Sequence, residues 1–178
     1  MKPFLSGNKV YLRQIEQEDL FGPYMDWFHD SEVTHHMLKG ALPLSRKQQQ
    51  DYFDQVINNS TNLILAIIHK EDNAHIGNVG LHNMDAIHRF AEMGVIIGNK
   101  DYWGKKLGEE AIRLICEHGF NQLNLNRIEL GVIHSHKSAI RLYEKLGFRH
   151  EGVKRNHIFK HGNYVDVVLM AMLKGEML

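Results

Sequence analysis

Residues 90–133 read FAEMGVIIGNKDYWGKKLGEEAIRLICEHGFNQLNLNRIELGVI. An apolar, β-branched run at 90–97 leads into a loop rich in glycine and lysine. Leu107, Ala111, Ile112 and Ile115 then recur at helical spacing up to Gly119, and RIELGVI at 127–133 reads as a second strand. Strand, helix and strand in succession demand a crossover, and a crossover joins parallel strands. The loop between them, YWGKKLGEEA at 102–111, holds Gly104 and Gly108 four apart with Lys105 and Lys106 between. This spacing is neither G-x-G-x-x-G nor G-x-x-x-x-G-K-[ST], so neither phosphate-binding fingerprint applies. What remains is physical. The first turn of a helix leaves backbone N–H groups without partners, its dipole adds partial positive charge, and glycine lets a phosphate approach. A pyrophosphate is the expected guest, and the alternative is a tight turn that binds nothing.

Downstream, KSAIRLYEKLGF at 137–148 sets Ala139, Leu142, Tyr143 and Leu146 on one helical stripe, with Gly147 where a helix turns left-handed and stops. Two strands, around HIFK and YVDVVLMAML, flank the turn residues HGN. Upstream, LILAIIH (63–69) and HIGNVGLH (75–82) join 90–97 through turn-like KEDNA and NMDAIHR, which predicts an antiparallel three-strand meander. Before these, KVYLRQI (9–15) alternates as a strand, and EDLFGPYMDWF (18–28) reads as a helix. LSRKQQQDYFDQVINN opens on Ser45 and Gln48 in capping-box spacing, with Phe53, Val56 and Ile57 on one face. The order is β-α-α-β-β-β-α-β-α-β-β. It predicts an α/β (α+β) fold with a mixed sheet of about seven strands and about four helices, in a single domain over residues 1–178.

The 43% hydrophobic and 24% charged composition is that of an ordinary globular chain. Twenty-one Lys and Arg against twenty-one Asp and Glu give no overall attraction to nucleic acid or a membrane surface, and neither partner is expected. The balance is local: residues 103–178 hold twelve basic and eight acidic side chains, so an anionic ligand is expected in that half. No apolar run approaches the roughly 20 residues a membrane helix needs, and MKPFLSGNKVYLR lacks a signal-peptide core; a cytoplasmic protein is the expectation. Cys116, beside Leu114 and Ile115, reads as a buried structural thiol. The thirteen histidines include HH at 35–36 and HSH at 134–136, but neither has the spacing or partners of a metal site, so no metal is expected.

Three segments taken together, RFAEMGVII into YWGKKLGEEA, then LYEKLGF and EG, resemble the GNAT family of acetyl-CoA-dependent N-acetyltransferases, in the branch similar to ribosomal-protein and spermidine acetyltransferases. The resemblance covers residues 9–173 and is most specific over 90–153. It implies that the fourth and fifth predicted strands are parallel and splayed apart, with the pantetheine arm of acetyl-CoA lying in the gap as an added strand along Met93, Val95 and Ile97. It also implies that Trp103, Gly104, Lys105, Lys106, Leu107, Gly108 and Glu109 form the pyrophosphate loop. Trp103 stands where the family pattern has Gln or Arg, and Lys106 where it has a glycine, which a lysine tolerates if its φ is negative. His136 takes the place of an asparagine that contacts the cofactor.

By the same resemblance Tyr143 protonates the departing thiolate, and Glu92 is the base that frees the acceptor nitrogen, directly or through water. The amide of Val95 or a neighbour would polarise the carbonyl. Read from the residues alone, Tyr143 is equally a packed aromatic and Glu92 a solvated strand carboxylate. The acceptor site is expected around Trp27, His29, Asp30, Glu32, His35 and His36, with Asn156, His157 and Tyr164. That mixture of groups suits a small polar amine, such as an amino sugar or a polyamine-like molecule, or a peptide N-terminus. A non-catalytic acetyl-CoA-binding module is the alternative of another class, and a homodimer is left open.

Overall fold

The computed structural model describes residues 2–37 and 41–178. Its elements run β1 (Leu5–Ser6), β2 (Val10–Gln14), α1 (Pro23–His29), α2 (Arg46–Tyr52), β3 (Leu63–His69), β4 (His75–Asp85), β5 (Phe90–Ile97), α3 (Leu107–Asn121), β6 (Arg127–Ile133), α4 (Lys137–Leu146), β7 (Arg149–Lys160) and β8 (Asn163–Leu173). They build one mixed sheet in the order β1-β2-β3-β4-β5-β6-β8-β7. The meander β3-β4-β5 and the parallel crossover from β5 through α3 to β6 both form as the periodicity predicts. The described residues hold eight strands where about seven were expected. The addition is β1, a two-residue strand paired with β2 and too short to produce an alternation in sequence.

The helix expected over 18–28 is broken. A 3-10 turn covers Gln17–Phe21, Gly22 is extended, and α1 starts at Pro23, whose fixed φ and missing N–H suit a first helical position. The capping box at α2 is present, with Ser45 accepting from the Gln48 amide and the Gln48 side chain accepting from the Ser45 amide. Gly147 ends α4 at φ 110°, a left-handed conformation that β-carbon crowding disfavours.

Alternation along the strands divides the side chains between two cores. Leu65, Ile67, Val79, Leu81, Ala91, Met93, Ile128 and Leu130 face α3, with Leu107, Ala111, Ile112, Ile115 and Phe120 packed down onto them. Ile64, Ala66 and Ile68 face the other way, under Leu20, Tyr24, Trp27 and Ile57 of the first helical layer. Each side chain removed from water here contributes about 1.5–3 kcal/mol relative to exposure, enough to hold both layers on the sheet. Cys116 lies inside the α3 core, where burial pushes its thiol up to about 12 and leaves no thiolate for chemistry.

Candidate active site

The sheet comes apart at one place. β5 and β6 pair only at Phe90–Arg127, Ala91–Ile128 and Glu92–Glu129. Beyond that rung β5 stays bonded to β4 as far as Ile97, and β6 stays bonded to β8 as far as Ile133, so the two strands diverge into a wedge. One edge of Met93–Ile97 therefore has no neighbouring strand. An unpaired strand edge invites an extended ligand to bond to it. Met93 is buried and Val95 and Ile97 pack against the α3 core, so what these residues offer the gap is backbone.

At the end of β5 the chain turns into α3. The Trp103 indole N–H donates to the Ile97 carbonyl at 2.7 Å, folding the loop back on the strand end while the ring remains 40% exposed. Gly104 has φ 73° and nothing within 4 Å of where a side chain would start. Lys106 has φ 63°, against the expectation of a negative value: it holds the left-handed conformation of the glycine it replaces, and so keeps the path of the loop. Lys106 is also the residue at which α3 begins, and no side chain caps it. Leu107 is buried, and a side chain at Gly108 would press on Ile97, so this turn lies close to the strand. The two carboxylates nearby would repel an anion, but both are engaged elsewhere: Glu109 pairs with Lys145 of α4, and Glu110 accepts from the Asn8 and Lys9 amides. Lys105 lies over the Tyr102 ring at 5.0 Å, and Lys105 and Lys106 share an open cleft of about 750 Å³ with Lys9 and Lys70.

Tyr143 projects from α4 onto the α3 side of the sheet, edge-on to Phe148, and burial pushes its phenol up to about 12. It is neutral at physiological pH and able to donate a proton. Glu92 is exposed, on the opposite face, at the last rung before the strands part. His82 of β4 stands directly across from it in register, a neighbour that no sequence motif singled out.

Residues 30–37 stretch over the open end of the wedge. On the β5 side Lys100 bridges Asp30 and Glu32 at 2.8 Å each, which raises the lysine pKa and lowers that of Asp30. On the β6 side His36 stacks on His136 with ring centroids 4.2 Å apart. His35 stands edge-on to His36 and stacks on His161 at 4.5 Å. Lys160 donates to the Thr34 and Met37 carbonyls. Burial, with His36 and His35 alongside, pushes His136 down to about 4. His29 is exposed and accepts from the Leu44 amide, and Tyr164 is exposed against Phe159 on the β7–β8 hairpin. The Asn156 amide donates to Asp166, and His157 is exposed. Trp27 departs from expectation: it is buried, edge-on to His75, and pressed so closely on Gly98 that any side chain there would overlap its indole. It belongs to the core, not to an acceptor surface. Lys100, Lys160 and His161 were not singled out in the sequence, because each acquires its partners from segments more than sixty residues away.

The family described as "Acetyltransferase (GNAT) domain" matches residues 9–149, most of the chain. The protein belongs to the GNAT acetyltransferase family. Among its relatives, the uncharacterized N-acetyltransferase p20 of Bacillus licheniformis is 32% identical over 97% of each chain. The spermidine N(1)-acetyltransferase of Escherichia coli K12 is 29% identical over 97% of this chain and 90% of its own. The crystal structure of spermidine N-acetyltransferase from Vibrio cholerae in complex with CoA and spermine superposes with a TM-score of 0.87 at 26% identity, covering 96% of this chain and 98% of that one. The chain is thus a GNAT N-acetyltransferase, and the wedge between β5 and β6 is the splay expected of that fold. Among the described residues no helix is long and apolar enough to cross a membrane.

Proposed function

We propose that the protein transfers the acetyl group of acetyl-CoA to the primary amine of a small polar molecule. The observation that carries this reading is the parting of β5 from β6 after the Glu92–Glu129 rung, with an uncapped helix start at its mouth. The unpaired edge of Met93–Ile97 fits an extended amide-bearing arm, and the amides of the first α3 turn, with Lys105 and Lys106, fit a pyrophosphate. Val95 or a neighbouring amide donates to the thioester oxygen as charge develops there. Tyr143 gives its proton to the departing sulfur, a role suited to a phenol kept neutral by burial. Glu92 and its surroundings lie on the other face, so the amine reaches the carbonyl from the side opposite Tyr143. His136, at the start of α4, holds residues 30–37 over this approach through His36.

Among small polar amines, the residues 30–37 favour an amino sugar over a polyamine, because their carboxylates already hold an ammonium. A polycation entering beside Asp30 and Glu32 meets Lys100 first, so that pair attracts it far less than two open carboxylates would. The named activities of the Escherichia coli and Vibrio cholerae relatives bring polyamines into the range to be tested beside amino sugars. CoA release should therefore be followed with amino sugars, aminoglycosides, polyamines and short peptides. Saturable release with an amino sugar or polyamine supports the proposal. Release with peptides alone moves the acceptor to protein N-termini, and binding of acetyl-CoA without release to any acceptor leaves a binding module.

A further inference from the structure

On the face of the sheet away from α3, four positions of β4 and β5 form a square. Gly80 stands opposite Gly94, and His82 stands opposite Glu92. Directly opposed residues of an antiparallel pair point the same way, as do residues two apart on one strand, so all four share this face. The two glycines leave room for the His82 ring to lie down on the sheet. A methyl group at Gly94 would lie 3.2 Å from His82 Nε2, and one at Gly80 would lie 3.3 Å from it and 3.0 Å from Ile64 and the Leu63 carbonyl. Glu92 is the last β5 residue paired with β6, so His82, opposite it, stands beside the point where the gap begins. On the same face stand Glu129 of β6 with its ion-pair partner Arg127, and, in the core cluster that includes Ile64, Tyr24 and Tyr52 of α1 and α2, whose phenols burial pushes up. Of these groups only an imidazole ordinarily exchanges protons near neutrality.

We infer that His82 is the group that takes the proton from the acceptor ammonium, with Glu92 beside it stabilising the imidazolium that forms. This rests on the proposed N-acetyltransferase reaction and deepens it by naming the base. The imidazole nitrogen accepts one proton from the ammonium, and the freed lone pair forms the C–N bond to the thioester carbonyl. On collapse the C–S bond breaks and the sulfur takes its proton from Tyr143. The second proton lost by the nitrogen returns to Tyr143 through solvent, and the imidazolium releases its own proton to water. The glycine pair has a function in this arrangement, since side chains at 80 and 94 would press on the His82 ring and displace it.

Wild type, His82→Gln and Gly94→Ala should be assayed for acetyl transfer to glucosamine, to spermidine and to hydroxylamine between pH 6 and 9, with acetyl-CoA affinity measured by calorimetry. Hydroxylamine is largely unprotonated at neutral pH and needs no base. His82→Gln should lower kcat/KM for the protonated amines about 10²-fold or more, within the usual range for a lost general base. It should also extend the acid limb of their pH profile up toward each amine's own pKa, because only the free amine then reacts, while acetyl-CoA affinity and transfer to hydroxylamine stay within about twofold. Gly94→Ala, by pressing on the His82 ring, should lower kcat/KM for glucosamine more than for hydroxylamine. Loss of hydroxylamine transfer equal to that of the other amines, or an acid limb unchanged in His82→Gln, overturns the assignment while leaving the acetyltransferase reading intact. A wild-type protein that binds acetyl-CoA but acetylates none of the three overturns both.

Discussion

Two helices on this sheet begin in opposite ways. At α2 the Ser45 and Gln48 side chains exchange hydrogen bonds with each other's amides, so the free ends of the backbone are satisfied within four residues. At α3 no side chain caps the start, the preceding lysine is left-handed, and both first-turn carboxylates are drawn off to Lys145 and to the Asn8 and Lys9 amides. The start of α4 at His136 is likewise without a side-chain cap. A capped start only adds stability, about 1 kcal/mol in the usual case. An uncapped one leaves donors directed outward; α1 also starts uncapped, but with Pro23 in its first turn supplying no N–H, and the other two uncapped starts, those of α3 and α4, flank the gap between β5 and β6. The contrast is between a start satisfied by its own side chains and two starts whose first-turn amides lie beside the gap.

The sharpest way to break this contrast lies in α4. Tyr143→Phe removes one hydroxyl from a stripe still packed through Leu142 and Leu146. Turnover should fall roughly 10²- to 10⁴-fold with acetyl-CoA affinity unchanged, and near-full activity across pH 6 to 9 would return Tyr143 to a packing role. Next comes the loop: reversing Lys105 and Lys106 together to glutamate should weaken acetyl-CoA binding about tenfold at low salt and less at high salt. An unchanged affinity in calorimetry would mean that backbone amides hold the phosphates alone and that the lysines serve the neighbouring cleft.

Acid should act on α4 in a defined window. His136 is held down to about 4 by burial and by His36 and His35, with Lys160 and His161 also near the column, whereas in the unfolded chain it titrates near 6.5. Its folded form prefers to be neutral, so its contribution is complete above about pH 6.5, declines as pH falls toward 4, and is gone below. Urea midpoints measured from pH 7 to 4 should fall, and His136→Gln should flatten that decline. The smallest effects belong to the helix starts. Ser45→Ala should cost about 1 kcal/mol of stability by urea titration and leave acetyl-CoA affinity untouched. Lys106→Gly should gain about 1 kcal/mol by relieving a left-handed side chain. A Ser45→Ala variant that lost affinity, or a Lys106→Gly variant that lost stability, would dissolve the distinction between the two starts.

What was legible in the sequence was what short spacing encodes. The crossover from 90 to 133, the capping box at Ser45 and the left-handed stop at Gly147 each depend on residues within one element and its flanks. The wedge followed from resemblance, because nothing in the residues 93–97 themselves announces a missing neighbour. Local spacing failed where tertiary contacts decide. Trp27 was expected at the acceptor site, yet Gly98, seventy-one positions later, leaves the space into which it packs. Lys106 was held tolerable in the loop only at negative φ, whereas the loop path preserved the positive φ of a glycine. The imidazole column joins residues 35, 36, 136 and 161, which only the folded sheet brings together.

The three rungs between β5 and β6 have a mechanical consequence. Strands β1–β5 and β6–β8 are like two covers of a book bound by a spine of three stitches, with α3 running along the back. Such a spine lets the covers breathe, and amide exchange should be fastest along the loose leaf edge at Met93–Ile97. A guest seated in the gap sews the covers together. At a hundredfold excess over its dissociation constant that sewing is worth about 2.7 kcal/mol. The melting temperature should rise accordingly, and the slowing of exchange should spread into both covers instead of stopping at the residues the guest touches.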